Sequence, residues 1–384
     1  MWTQQNNLAL LLTLGLHTLI VWLLTIPLRR MPADAHWTER ARHYWPVRKA
    51  LGGMLMMAMG FGMYFSKSDK NLDGASERFL AMFFATWATG IFATFLATRR
   101  LNVPSNSVRH WVSQILLQFN PLLSFATFLF VGVGLTCARR LDGGTWGIFG
   151  GVIAWLLFLN FGGVLLLWRW LGQSKPADPD LAQRLQALAP EAPPRIVIWK
   201  SEMGQALAFF WSNTIAFSQG ALAALDPAQI EAVARHELAH LREPVLVRAL
   251  RLINLVSAGS AVLIFPIIKS YHMTGLLIFL GVLVGLNKLL VRLARKMEVR
   301  ADDAAAQSDP AVYAGALEQL YRINLMPGVV SRKANQIHPN LYDRMVSAGV
   351  TPDWVRPQTP SKWYKLVIII ELAIAIALSM WMKL

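Results

Sequence analysis

The stretch RHELAHLREP, Arg235 to Pro244, places two histidines four residues apart with a glutamate directly after the first. On an α-helix this spacing puts His236 and His240 on one face, where two imidazoles can bind the same zinc ion. Glu237 then lies within reach of a water bound to that ion and is placed to act as a general base. The stretch therefore predicts a helix that carries a zinc site.

The residues before this stretch predict how the helix begins. Asp226 is the expected N-cap, Pro227 takes the first helical position, and Gln229 completes a capping box. Pro244 is expected to end or kink the helix, because proline lacks the backbone N–H that a helix interior needs. Extended segments are predicted upstream at RIVIW (Arg195 to Trp199), at TIAFS (Thr214 to Ser218) and between them in EMGQALAFFWSN.

A catalytic zinc site needs a third protein ligand beside the two histidines and a water. The best candidate is Glu298 in RKMEVRADDAAA, where Asp302 follows four residues later on the same helical face. A carboxylate completes a His₂Glu site, and Asp302 can accept the outer N–H of a ligand histidine. The alternative is a solvated helix face on which these acidic groups pair with Arg295, Lys296 and Arg300.

The composition predicts a mainly α, polytopic helical membrane protein. Of the 384 residues, 55% are hydrophobic and only 15% are charged, whereas a soluble domain carries about 25% charged residues. Apolar runs long enough to approach a membrane span fall at 8–28, 50–66, 79–98, 117–138, 147–168, 251–268, 273–291 and 364–382.

The net charge of +15 has a membrane explanation, because Lys and Arg flank the apolar runs and do not form one stripe. We therefore expect a lipid bilayer and no nucleic acid among the partners. The alternation of charged loops predicts five spans within residues 1–170, with the N-terminus outside and residues 171–247 in the cytoplasm. The single cysteine, Cys137, excludes an internal disulfide and a Cys-based metal site.

Four segments of the chain resemble the M48 zinc metallopeptidases, which include the bacterial heat-shock membrane protease and the eukaryotic CaaX prenyl protease. They cover roughly residues 195–350 in the order found in that family. The segments are TIAFSQGALAALDPAQIEAVARHELAHL, the apolar hairpin directly after it, RKMEVRADDAAA, and IHPNLYDRM (Ile337 to Met345).

The resemblance implies a cytoplasmic, zincin-like metalloprotease domain with a small β-sheet and one zinc ion per chain. The matching residues are His236, His240 and Glu298 as ligands, Glu237 as catalytic base, and His338 and Arg344 as groups that support the reacting carbonyl or the wall of the site. One departure is Gln205 in GQALAFF, where the family usually has an asparagine on the strand that pairs with substrate.

The implied domain organisation divides the soluble part of the chain into two segments. A linker, SKPADPDLAQRLQALAPEAPP, is expected at the start of the first, because its Pro and Asp clusters break helices. The segments are an N-terminal membrane region (1–170), the first part of the peptidase domain (171–250), a transmembrane hairpin (251–291), the second part of the peptidase domain (292–363) and a C-terminal span (364–384).

The expected function is an integral-membrane zinc endopeptidase of the bacterial inner membrane that cleaves membrane or cytoplasmic polypeptides in quality control or processing. A CaaX-type processing protease and a sensor-transducer of the antibiotic-responsive receptor kind are the alternatives within the same chemistry. A non-catalytic scaffold with a structural metal is the third class, and four protein ligands in a closed site would favour it. The sequence predicts no particular oligomeric state.

Overall fold

The structure is a computed structural model that describes residues 4–32, 34–49, 137–138, 140–331 and 337–363, with isolated positions at 92 and between 365 and 377. The described residues are mostly helical and include one four-stranded sheet. The predicted spans at 50–66, 79–98, 117–138 and 364–382 lie wholly or mostly outside these residues, so they stay predictions.

The elements follow one another along the chain as short strands set between helices. The described helices are α1 (Gln4–Arg29), α2 (37–49), α3 (Gly143–Phe158), α4 (Val164–Trp170), α5 (Pro179–Gln186), α6 (Gln219–Ala224), α7 (Pro227–Leu241), α8 (Val245–Gly259), α9 (Ile264–Ala306), α10 (Pro310–Ile323) and α11 (Leu341–Ser347). The strands are β1 (Ser174–Pro176), β2 (Arg195–Trp199), β3 (Ala206–Phe209) and β4 (Thr214–Ser218).

The sheet has the strand order β1-β2-β4-β3. β2 and β4 are parallel and pair from Arg195 opposite Thr214 to Trp199 opposite Ser218. β1 and β3 are antiparallel to their neighbours. Both strands predicted from the sequence have the predicted bounds, and the third extended segment is confirmed as β3.

The predicted linker between 174 and 194 is wrong, because this segment contains β1 and α5. Pro179 does not interrupt a helix here but occupies the first turn of α5, where its fixed φ angle and missing N–H cost nothing. Leu181 and Leu185 then lie one turn apart and pack into the core, with Leu185 fully buried. The spacing of these two leucines indicates a helix, but the prolines around them led to the prediction of a linker.

The two faces of the sheet pack against different helices. Ile196, Ile215 and Phe217 lie in one core cluster with buried residues of α7, among them Val233 and Leu238. The opposite face forms a second cluster with α4 and the π-helical turn before it, through Val197, Trp199, Phe209, Leu159, Val164 and Trp168. The Trp168 and Trp199 ring centroids are 4.3 Å apart. The sheet therefore lies between α7 and the end of an apolar helix.

Among the described residues, two helical stretches are long and apolar enough, by length and composition, to cross a membrane. One is Gly143–Trp170, and the other is Val245–Ala306, which is interrupted at a 3₁₀ turn (Ser260–Leu263) and at His272 with a φ of 55°. The two stretches pack together where Gly259 approaches α3, since a Cβ at Gly259 would lie 2.6 Å from Ile153 Cδ1.

The N-terminal helices pack on the region that follows α10. Buried residues of α1 and α2 cluster with Leu325. Arg48 Nη1 donates to the Asn324 carbonyl at 3.2 Å, and the Trp37 and Trp354 rings meet edge to face with centroids 5.7 Å apart. The segment after α1 therefore packs against residues close to α10 and α11.

Candidate metal centre

α7 begins and ends as its sequence predicts. The Asp226 carboxylate accepts from the Gln229 N–H at 2.8 Å, and the Gln229 Oε1 accepts from the Asp226 N–H at 3.2 Å, which completes the capping box. The helix ends at Leu241, and Pro244 precedes the first residue of α8. The capped start fixes the register that places His236 and His240 on one face.

Three ligand atoms converge between α7 and α9. The Nε2 atoms of His236 and His240 are 3.2 Å apart. The two Glu298 carboxylate oxygens lie 3.7 Å and 3.5 Å from these nitrogens, respectively. Ligand atoms about 2.0–2.1 Å from a tetrahedral zinc ion are themselves roughly 3.3–3.4 Å apart. The donor types and the spacing therefore fit one zinc ion, and these three residues form a group that could hold a metal ion among the described residues.

Close packing of α9 against α7 brings Glu298 to the histidines. Ala301 and Ala305 are fully buried on α9, and their small side chains permit a close helix contact. Arg300 then donates to the Ala239 carbonyl at 2.6 Å, which joins the two helices beside the ligands. The acidic residues of α9 therefore do not form a solvated face, since Glu298 and Asp302 are both at least nine-tenths buried.

Glu237 follows the first ligand directly on α7 and is only 8% exposed. Its position on the helix, next to His236 and before His240, is the one that the motif predicts. Burial of this side chain limits competing water around the site. The Glu237 carboxylate is therefore suited to act on a water bound to a metal ion at this site.

The imidazole nitrogen of His236 that is not among the converging atoms, Nδ1, faces two buried polar side chains. His236 Nδ1 lies 3.2 Å from Asp302 Oδ1 and 3.0 Å from the Tyr313 hydroxyl. The Tyr313 hydroxyl donates to Asp302 Oδ1 at 2.6 Å. Contacts of this kind fix the tautomer and the ring orientation of a ligand histidine. Asp302 therefore lies where the sequence analysis expected it.

The side chain of Arg344 contacts Asp302, not the converging ligand atoms of His236, His240 and Glu298. Its Nε donates to Asp302 Oδ2 at 2.9 Å, and its Nη2 donates to Asp302 Oδ1 at 2.6 Å. Arg344 is 7% exposed. Burial alone raises the pKa of Asp302, but the His236 hydrogen bond and the Arg344 charge outweigh it and hold that pKa far below its usual range. These contacts fix the position of the Asp302 carboxylate.

His338 lies beside the third ligand. Its Nδ1 is 2.8 Å from Glu298 Oε2, and its side chain is 62% exposed. Burial raises the pKa of Glu298, but the hydrogen bond to His338 and the neighbouring imidazoles of His240 and His236 lower it to about 2. His338 therefore combines contact with a ligand and access from solvent.

Two polar groups of the site were not predicted from the sequence. Tyr313 lies on α10 and carries no local signal, because its partners come from α7 and α9. Glu243 accepts from His240 Nδ1 at 2.8 Å and is held by Arg251. Glu243 could have been predicted from the sequence, because a carboxylate three residues after a ligand histidine lies on the same side of the helix end.

Residues 179–349 match the profile of peptidase family M48. A search among curated proteins found no match for the chain. The matched segment runs from the start of α5 to just beyond α11, and it contains the converging group of His236, His240 and Glu298. Peptidases of this family are metal-dependent and act on polypeptides. Residues 179–349 therefore form a domain of peptidase family M48.

Proposed function

We propose that the protein is an integral-membrane zinc endopeptidase that hydrolyses peptide bonds of membrane or cytoplasmic proteins, in quality control or processing. The convergence of His236 Nε2, His240 Nε2 and the Glu298 carboxylate beside Glu237 carries the proposal. Three protein ligands leave a fourth tetrahedral position for water, which is the arrangement of a catalytic site. A purely structural zinc site has four protein ligands, so three protein ligands are unfavourable to that alternative.

A zinc ion held by these residues would polarise the scissile carbonyl and lower the pKa of a bound water to about 7. Glu237 takes the proton from the attacking water and later passes it to the leaving amine. The buried position of Glu237, directly after His236 on α7, supports this role.

The residues beyond the ligands divide into two roles. His338 is exposed and adjoins Glu298, so its imidazole can donate to the oxygen that becomes negative during attack. Arg344 was expected to support the reacting carbonyl or the wall of the site. We propose instead that it keeps Asp302 in place, because it is buried and both of its contacts to that carboxylate are short.

Helix lengths support a site close to the membrane surface. The stretch Gly143–Trp170 is about 42 Å long at 1.5 Å per residue, whereas the hydrocarbon core of a bilayer is about 30 Å thick. The excess corresponds to α4, which packs against the sheet. Within α9, Glu298 lies about 10 Å beyond residue 291, where the apolar segment ends.

The packing of α2 supports an active site that faces the cytoplasm of a bacterial inner membrane. α2 carries most of the basic residues of the loop after the first span, among them Arg40, Arg42 and Arg48, and the positive-inside rule places this loop in the cytoplasm. Its Arg48 contacts Asn324 and its Trp37 contacts Trp354, within and just after the peptidase domain. With this topology, the peptidase domain and α2 lie on the cytoplasmic side of the membrane, and the N-terminus of α1 lies outside.

The test is the cleavage of an unfolded membrane protein by the purified full-length chain and by its Glu237→Gln variant. Glu231→Gln is the matched control, because Glu231 lies on the same helix and pairs with Arg184 and Arg235 away from the ligands. Activity is expected in the wild type and the control, and is expected to disappear with Glu237→Gln or with a zinc chelator. Equal cleavage by wild type and Glu237→Gln would refute the proposal.

A further inference from the structure

Both ligand histidines direct their outer nitrogen at a carboxylate that an arginine holds. For His236 the pair is Asp302 and Arg344. For His240 the pair is Glu243 and Arg251. The second pair has no part in the proposed proton transfer, and it joins the turn after α7 to α8.

Glu243 is one of the most buried charged groups of the described residues, with a side chain 1% exposed. Its Oε1 lies 2.8 Å from His240 Nδ1 and 2.5 Å from Arg251 Nη2, and its Oε2 lies 2.8 Å from Arg251 Nε. A buried carboxylate is costly unless its charge is paired and its oxygens are hydrogen-bonded. Arg251 meets both requirements through a bidentate contact.

The contact with Glu243 determines which nitrogen of His240 can bind metal. An ionised carboxylate only accepts hydrogen bonds, so His240 Nδ1 must carry the proton. The lone pair of the imidazole then lies on Nε2, which is the atom that faces Glu298 and His236. A carboxylate behind a ligand histidine also fixes the plane of the ring.

From this geometry we infer that Glu243 is a positioning residue for His240 and that Arg251 acts on the metal site through Glu243. The inference rests on the proposed function, since it assigns a role in the same zinc site. It goes further because Arg251 lies on α8, the first helix of the apolar stretch after Pro244.

The test measures the zinc dissociation constant of the full-length chain in detergent, by competition with a chromophoric chelator. The variants are Glu243→Gln, Arg251→Ala and the double variant, and Arg242→Ala is the control because Arg242 is exposed beside them. Loss of a carboxylate behind a ligand typically weakens metal binding about 10–100-fold. We expect that loss for Glu243→Gln and Arg251→Ala, and wild-type affinity for Arg242→Ala.

Two further readouts separate positioning from general destabilisation. The visible spectrum of the Co²⁺-loaded protein should change in Glu243→Gln, because the orientation of a ligand has changed. Arg251→Ala should add nothing to the affinity loss when Glu243 is already replaced, because Arg251 acts through it. Since the Arg251 side chain is 41% exposed, its variant remains informative even where a Glu243 variant folds poorly.

Unchanged zinc affinity and an unchanged cobalt spectrum in Glu243→Gln and Arg251→Ala would overturn the inference, while the wild type still binds zinc and cleaves substrate through Glu237. Additive affinity losses in the double variant would overturn the role of Arg251. A wild-type chain without zinc binding or cleavage would instead overturn the proposed function.

Discussion

Replacing Arg344 with methionine should destabilise the peptidase domain strongly. The substitution leaves the Asp302 carboxylate buried and removes two of its hydrogen bonds, at 2.9 Å and 2.6 Å. Removal of one partner from a buried ion pair costs about 3–5 kcal/mol, because the remaining charge is uncompensated. For a domain of 150–250 residues, this corresponds to a melting temperature lower by roughly 6–20 °C.

The assay is thermal unfolding of the full-length chain in detergent, followed by tryptophan fluorescence with chelator present. The chelator removes any stabilisation by bound metal, which would otherwise add to the measured difference. Arg356→Met is the matched control, since Arg356 pairs with Asp343 at 2.7 Å but both side chains are exposed. An exposed pair contributes about 0–1 kcal/mol.

The double variant Asp302→Asn with Arg344→Met tests whether the two losses share one cause. Because the neutral amide no longer needs a cation, the double variant should be more stable than the sum of the single losses predicts, by about 0.5–3 kcal/mol. An Arg344→Met loss no larger than that of Arg356→Met would refute the reasoning, and so would additive losses in the double variant.

Three other substitutions and one control test separate parts of the account. His338→Ala should lower kcat by about 10²–10³-fold when zinc is saturating, and kinetics at saturating zinc will show whether it does. Gly220→Ala should destabilise by about 1–3 kcal/mol, because its Cβ would overlap the Glu202 backbone. Gly147→Ala, which has open space around it, should be close to neutral in the same unfolding assay. Asp226→Ala should cost about 0.5–2 kcal/mol by loss of the cap, again measured by unfolding.

The local features of the site were predictable because they depend on short-range rules. The capping box, the helical spacing of His236 and His240, and the bounds of β2 and β4 all follow from residues close in sequence. Glu298 was predictable for a different reason. The chemistry requires a third ligand, and few carboxylates follow the motif in a helical pattern.

The parts that sequence reasoning missed depend on contacts between distant segments. Arg344 was expected to support the reacting carbonyl or the wall of the site, and only the packing of α11 against α10 shows that its side chain contacts Asp302. Tyr313 enters the site because α10 packs on α7 and α9. The helix α5 was missed because its proline was taken as an interruption, although it marks a helix start.

The central claim is an open zinc site formed by His236, His240 and Glu298. X-ray absorption at the zinc edge of the purified full-length chain tests it most directly. The account predicts one zinc ion with two imidazole nitrogens at about 2.0–2.1 Å and oxygen ligands at about 2.0–2.2 Å, from Glu298 and water. Three or more imidazoles around the zinc, or no zinc retained by the chain, would contradict it.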